Sequence, residues 1–102
     1  TAMMFMGNKV SAKEAKELGM IYEVVEADKL QEVTLNFAKV LANRPTKGIG
    51  LTKRALNQSF TNTMEQQLAV ERELQAEAAQ TYDHKEGIKA FFEKRKPEYK
   101  GC

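Results

Sequence analysis

The sequence predicts a mainly α-helical chain with at most one short strand. Apolar residues recur at helical spacing over residues 29–44, 46–56 and 62–80, and aspartate, proline or threonine stands where each helix would start. Pro45 stands at the predicted end of the first of these, and Gly7 and Gly19 at the ends of two briefer elements before it. Only one stretch, residues 20–25, has the β-branched and aromatic content of an extended segment.

Taken in order, the chain opens with the apolar run Thr1-Ala2-Met3-Met4-Phe5-Met6, which Gly7 would stop. A chain that starts inside such an element reads as a piece of a longer protein, and packing against structure upstream accounts for the methionines. Ser11-Ala12-Lys13-Glu14 fits a capping box, in which hydroxyl and carboxylate satisfy backbone N–H groups at a helix start. Gly19 would end that brief helix in the left-handed conformation, and residues 20–25 would run extended.

Asp28 is expected to cap the next helix, with Leu30, Val33, Phe37, Val40 and Leu41 on one face and an end near Arg44, because Pro45 disfavours helix at the residue before it. Pro45 suits the first turn of the helix that follows, where Ile49, Thr52, Ala55 and Leu56 form a stripe. Gly48 and Gly50 weaken that helix, so close approach of another backbone is expected there. Thr61 or Thr63 would cap a long helix reaching about Gln80, with Met64, Leu68, Val70, Leu74 and Ala78 over two neighbouring faces. Asp83-His84-Lys85-Glu86 resembles another capping box, Ile88, Phe91 and Phe92 give the last helix an apolar side, and Pro97 would stop it.

At 102 residues the chain is sized for a single domain, residues 1–102, with one small core. A chain this short buries roughly 60–70% of its surface, so leftover apolar faces call for a partner and self-association is expected. Hydrophobic residues at 42% and charged residues at 29% are a globular balance, unlike that of a disordered or membrane protein. There is no run of about 20 apolar residues and no charged-then-apolar leader, so the expected compartment is the cytoplasm, or an organelle matrix after processing.

Chemistry is sparse. The single cysteine, Cys102, excludes an internal disulfide and a thiolate metal site, and the single histidine, His84, sits among charged residues where a solvent-facing ring is usual. The sequence holds no Ser/His/Asp set, no metal-ligand cluster and no phosphate-binding glycine loop. Glu71, Glu73 and Glu77 are acid–base candidates by type, yet solvated ion pairs beside Arg72 are the ordinary reading on so charged a helix.

The net charge of +2 is too small for a nucleic-acid partner but is unevenly placed: residues 1–83 carry ten Lys/Arg and eleven Asp/Glu, residues 84–102 six and three. In Phe91-Phe92-Glu93-Lys94-Arg95-Lys96-Pro97, three cations adjoin two rings, which suits a phosphorylated, adenine-bearing ligand. A helix end whose cations complement the dipole and whose phenylalanines enter the core explains the same run, and residue types alone favour it.

Two passages resemble a family. Asn8-Lys9-Val10-Ser11-Ala12-Lys13-Glu14-Ala15, Leu18-Gly19-Met20-Ile21 and Val24-Val25 are similar to the "S-A-x-E-A … G-L-V … V-V" passage of the crotonase (enoyl-CoA hydratase/isomerase) superfamily. Thr81-Tyr82-Asp83, Glu86-Gly87-Ile88, Ala90-Phe91 and Glu93-Lys94-Arg95-Lys96-Pro97 resemble its "T-x-D … E-G … A-F … K-R-x-P" ending. The middle, from Arg44-Pro45-Thr46-Lys47 through Glu71-Arg72-Glu73-Leu74-Gln75, resembles the phenylacetate-degradation branch, whose isomerases convert a ring epoxide on a CoA thioester to a seven-membered oxepin.

The resemblance implies the C-terminal helical, trimerisation region of a crotonase-like α/β spiral fold. The oxyanion hole and the catalytic residues would lie upstream of this chain, so it would be inactive alone. It implies an acyl-CoA substrate, no cofactor beyond that coenzyme A thioester, and trimers or hexamers of the parent, while the composition adds the expectation of no membrane partner. By motif, Phe91 and Lys94 match positions near the CoA adenosine, often across a subunit boundary. Gln75, Ala76, Ala78 and Ala79 depart from hydratases that place aromatic residues there, which argues against a straight-chain hydratase pocket. Rival expectations are a general enoyl-CoA hydratase/isomerase of fatty-acid oxidation and a stand-alone helical oligomerisation module.

Overall fold

The computed structural model describes residues 2–102, which fall into two compact units, one ending at Leu35 and one running from Asn36 to Cys102. Among the described residues all regular structure is helical.

In the first unit, α1 (Ala2–Met6) stops at Gly7, which takes φ 64° as its position demanded. Helix α2 (Ala12–Glu17) is capped by Ser11, whose Oγ accepts the Glu14 N–H at 3.2 Å; of the expected reciprocal box only this half forms. Past the cap residue Leu18, Gly19 has φ 72°, its N–H donates to Lys16 O at 3.0 Å, and Met20 N–H donates to Ala15 O at 2.8 Å. This pair of bonds is a Schellman closure.

The stretch expected to be extended forms no strand. Residues 20–22 are bends, and a strand needs a laddered neighbour that no described segment supplies. Glu23 is instead tied to the Lys16 ammonium and accepts Val24 N–H at 3.0 Å; the lysine bond first, then the amide, holds its carboxyl below the usual range. Asp28 does not cap a helix as expected, because Ala27–Lys29 forms a 3-10 turn before α3 (Leu30–Ala42) begins. The α3 stripe of Leu30, Val33, Phe37, Val40 and Leu41 is exposed along its whole length.

The second unit is built on an antiparallel pair, α4 (Thr46–Ser59) and α5 (Met64–Ala79), followed by α6 (Tyr82–Phe92). Pro45 occupies the N-cap of α4 rather than its first turn. Thr63 caps α5 with a complete box: its Oγ1 accepts Gln66 N–H at 3.3 Å while Gln66 Oε1 accepts Thr63 N–H at 2.9 Å.

Near the α4–α5 turn, Gln67 Nε2 donates to Ala55 O at 3.2 Å; at the far end Lys47 and Arg54 approach the Glu77 carboxylate at 2.7 and 3.7 Å. The face of α4 turned to α5 carries Gly48, Leu51 and Ala55, so the buried leucine is Leu51, and Leu56 of the expected stripe is exposed. Gly50 corrects a second expectation, since a Cβ there would meet nothing within 4 Å, and one at Gly48 would meet only Pro45 at 4.0 Å. Space is thus open where a side chain at either position would begin.

Buried apolar residues are few: Leu51, Leu74 and Ala90 among those described. No helix of the described residues is long and apolar enough to cross a membrane.

Candidate functional site

Helix α6 starts at Thr81, not at the expected aspartate box: Thr81 Oγ1 accepts His84 N–H at 3.1 Å and donates to Ala78 O at 2.7 Å. That frees Asp83 and Glu86 for another task. With Ala90 they lie at i, i+3 and i+7, one helical face, and this is the buried face of α6, with Asp83 2% and Glu86 8% exposed. The expected apolar side is the outer one, where Phe91 and Phe92 stand 79% and 78% exposed.

What covers the carboxylates is the segment after the helix. Asp83 Oδ1 accepts Lys100 N–H at 2.6 Å and Oδ2 accepts Gly101 N–H at 2.9 Å, while Asp83 N–H donates to Cys102 O at 3.2 Å. Glu86 receives Arg95 Nη1 at 2.6 Å and Glu98 N–H at 2.8 Å on Oε1, and Arg95 Nη2 at 2.9 Å on Oε2. Buried carboxylates are tolerated only when hydrogen-bonded in this way.

The two-pronged bond from Arg95, then the Glu98 amide, pulls the Glu86 carboxyl down to about 2. Glu86 and then Glu93, which accepts Arg95 Nε at 2.6 Å, raise the hold of the guanidinium on its proton. Gly101 takes φ 76° beside α4; a Cβ there would lie 2.5 Å from Thr46 Oγ1.

Between helix and tail the chain turns at Glu93, Lys94 and Arg95. Lys94 N–H donates to Phe91 O at 3.2 Å and Arg95 N–H to Ala90 O at 3.1 Å, the same Schellman closure as at Gly19. Here the left-handed residue, φ 54°, is Lys94, the sole non-glycine with positive φ among the described residues.

Of the three cations in the run, Arg95 is neutralised by Glu86 and Glu93, which corrects the expectation of a threefold cationic cluster. Lys94 and Lys96 are exposed and have no acidic partner among the described residues. The Phe91 and Phe92 rings meet edge to face, centroids 5.8 Å apart at 76°, and with Ile88 and Tyr99 they line a depression of about 460 Å³ along α6. A free ammonium and projecting rings at one helix end can take a phosphate and a stacked base.

The other candidates sort themselves by contact. Glu77 pairs with Lys47 first and Arg54 second, not with Arg72, and the Lys47 bond holds its carboxyl below the usual range. Glu71 accepts Gln67 Nε2 at 2.9 Å, and Glu73, His84 and Cys102 are exposed. A groove of about 600 Å³ between α4 and α5 is lined by Leu51, Thr52, Leu56, Gln67, Glu71 and Leu74. No group of three or more His, Cys, Asp or Glu among the described residues is placed to hold a metal ion.

Capping logic assigned Asp83 and Glu86 to the helix start and so missed their part in fixing the site. The available signal was an acidic pair three residues apart with an arginine nine residues after the second acid.

Residues 1–102 match the protein family described as Enoyl-CoA hydratase/isomerase. The chain is 41% identical over 99 residues to the 1,2-epoxyphenylacetyl-CoA isomerase of Escherichia coli K12, covering 97% of this chain and 38% of that protein. It is 34% identical over 99 residues to the 2,3-dehydroadipyl-CoA hydratase of the same organism, covering 97% of this chain and 39% of that one. Among solved structures, an enoyl-CoA hydratase/isomerase from Mycobacterium abscessus superposes with a TM-score of 0.93 at 28% identity, over 99% of this chain and 39% of that one. The chain thus spans less than two-fifths of the length of these relatives.

Proposed function

Since this chain belongs to the enoyl-CoA hydratase/isomerase family and has the helical character of a C-terminal crotonase-like region, we propose that it is the assembly and acyl-CoA-covering part of an acyl-CoA isomerase of phenylacetate degradation. The observation that carries the ligand reading is the end of α6, where Phe91 and the partnerless Lys94 are both exposed. They would take the adenosine and a phosphate of coenzyme A. The branch rests on 41% identity to an isomerase against 34% to a hydratase.

The chain does no thioester chemistry alone in this reading. Its two buried carboxylates are occupied by tail amides and Arg95, and a carboxyl held at about 2 stays an acceptor instead of cycling a proton. The catalytic spiral would be supplied by the rest of the protein, 1–102 being one C-terminal region of it. The exposed stripe of α3 and Met3, Met4, Phe5 and Met6 support self-association, since so few buried apolar side chains cannot offset the ordering of about a hundred residues.

The test is turnover by the full-length gene product. Conversion of 1,2-epoxyphenylacetyl-CoA to the oxepin is expected, with none from residues 1–102 alone; hydration of crotonyl-CoA without action on the epoxide would select the general hydratase. Lys94→Ala should raise KM for the CoA thioester about five-fold, the worth of an exposed charge pair, with little change in kcat. Sedimentation at micromolar concentration should show trimers or hexamers, and a strict monomer would remove the assembly role.

A further inference from the structure

Lys94 combines two features that do not normally coincide. A side-chain-bearing residue in the left-handed region is strained, and the three other described residues with positive φ, Gly7, Gly19 and Gly101, are all glycine. Its ammonium also has no acidic partner, although Glu93 precedes it and Glu98 follows four residues later. The Glu93 carboxylate faces Arg95 and Lys89, and the Glu98 backbone is held by its N–H on Glu86.

The residue immediately after Lys94 is itself a firmly held cation. Arg95 bonds Glu86 with both terminal nitrogens, Glu93 with Nε and Lys96 O with Nη1, so its position is fixed from four directions. Its N–H also closes the helix on Ala90 O. A backbone anchored at Arg95 and at the end of α6 leaves Lys94 no relaxed conformation, and the strain persists because its neighbours over-determine it.

We infer that Glu86 and Arg95 are positioning residues that force Lys94 into its left-handed conformation and thereby present its ammonium, unpaired, to a phosphate of the coenzyme. This rests on the reading of Lys94 as a phosphate contact, and it adds why a lysine occupies a glycine position. The carboxylate of Glu86 acts only through Arg95; it touches no ligand.

Binding of coenzyme A and of 3′-dephospho-coenzyme A to the full-length protein tests this by calorimetry. Lys94→Ala should weaken coenzyme A about five-fold, as an exposed charge contact is worth, and spare the dephosphorylated form. Glu86→Gln should produce the same selective loss, and in the Lys94→Ala background it should reduce the preference no further. Arg95→Lys, which keeps the charge but not the fork, should behave like Glu86→Gln and serves if that variant does not fold.

Equal weakening of both ligands by Glu86→Gln or Arg95→Lys, or retention of the full preference, overturns the positioning role while Lys94 keeps its own. If Lys94→Ala leaves the preference intact, the phosphate contact falls and the positioning role falls with it.

Discussion

Helices α2 and α6 end in the same hydrogen-bond pattern, yet one places Gly19 and the other Lys94 at the left-handed position. After Gly19 the chain has little to hold it. Leu18, Met20 and Ile21 are exposed and the Lys16–Glu23 pair is a surface contact. After Lys94 come Arg95 on Glu86, Glu98 on Glu86, and Lys100 and Gly101 on Asp83. Where the following segment is loosely tied, the residue itself must favour the turn; where that segment is anchored, an unfavourable residue is carried along. The identity of the residue is then released to serve another purpose.

The sharpest way to break that contrast is to cut the anchor. Asp83→Ala strips two amide donors of their charged acceptor in a buried site and should cost about 2–3 kcal/mol in urea unfolding, against nothing comparable after Gly19. A loss within experimental error would show that the tail is not what holds the α6 end.

Acid probes the same anchor without mutation. Glu86 has its folded-state value depressed to about 2 from an ordinary 4.5, so its stabilisation is complete above the ordinary value and disappears as pH falls toward the folded one. NMR of the carboxyl should find its midpoint near the depressed value; a midpoint at the ordinary one would mean that Arg95 does not engage it in solution.

Smaller effects follow at the two turn residues. Gly19→Ala meets no atom within 4 Å, so only the backbone penalty of about 1 kcal/mol should appear as lost stability. Lys94→Gly removes a similar penalty but loosens the unfolded chain, for a net gain of about 0.5 kcal/mol or less. Thermal unfolding decides both, and a loss at Lys94→Gly would mean that the lysine side chain has structural contacts of its own.

Much of this was legible where a local rule decides. Gly7 and Gly19 terminate their helices, Thr63 caps α5, and Pro45 marks the break before α4, because each depends on residues within one turn. The readings that failed needed information from farther away. Residues 20–25 have strand composition, but composition cannot supply a partner strand. Ile88, Phe91 and Phe92 read as the inner face of α6 because buried faces are usually apolar; Asp83 and Glu86 fill it only because the tail returns to bond them. Phe91 and Lys94 stand out in the sequence only by motif, while the strain at Lys94 is a dihedral that residue type argues against.

The ties between α6 and the tail also set an order of closure. Glu86 reaches Arg95 across nine residues and Asp83 reaches Gly101 across eighteen, one doubling of loop length, which adds about 0.6 kcal/mol of closure entropy to the outer tie. The segment therefore zips from Arg95 outward and frays from Cys102 inward. Native-state hydrogen exchange should release the Lys100 and Gly101 amides before that of Glu98, and because the inner tie spans only nine residues, the clasp can start to form early, without waiting for distant parts of the chain to meet.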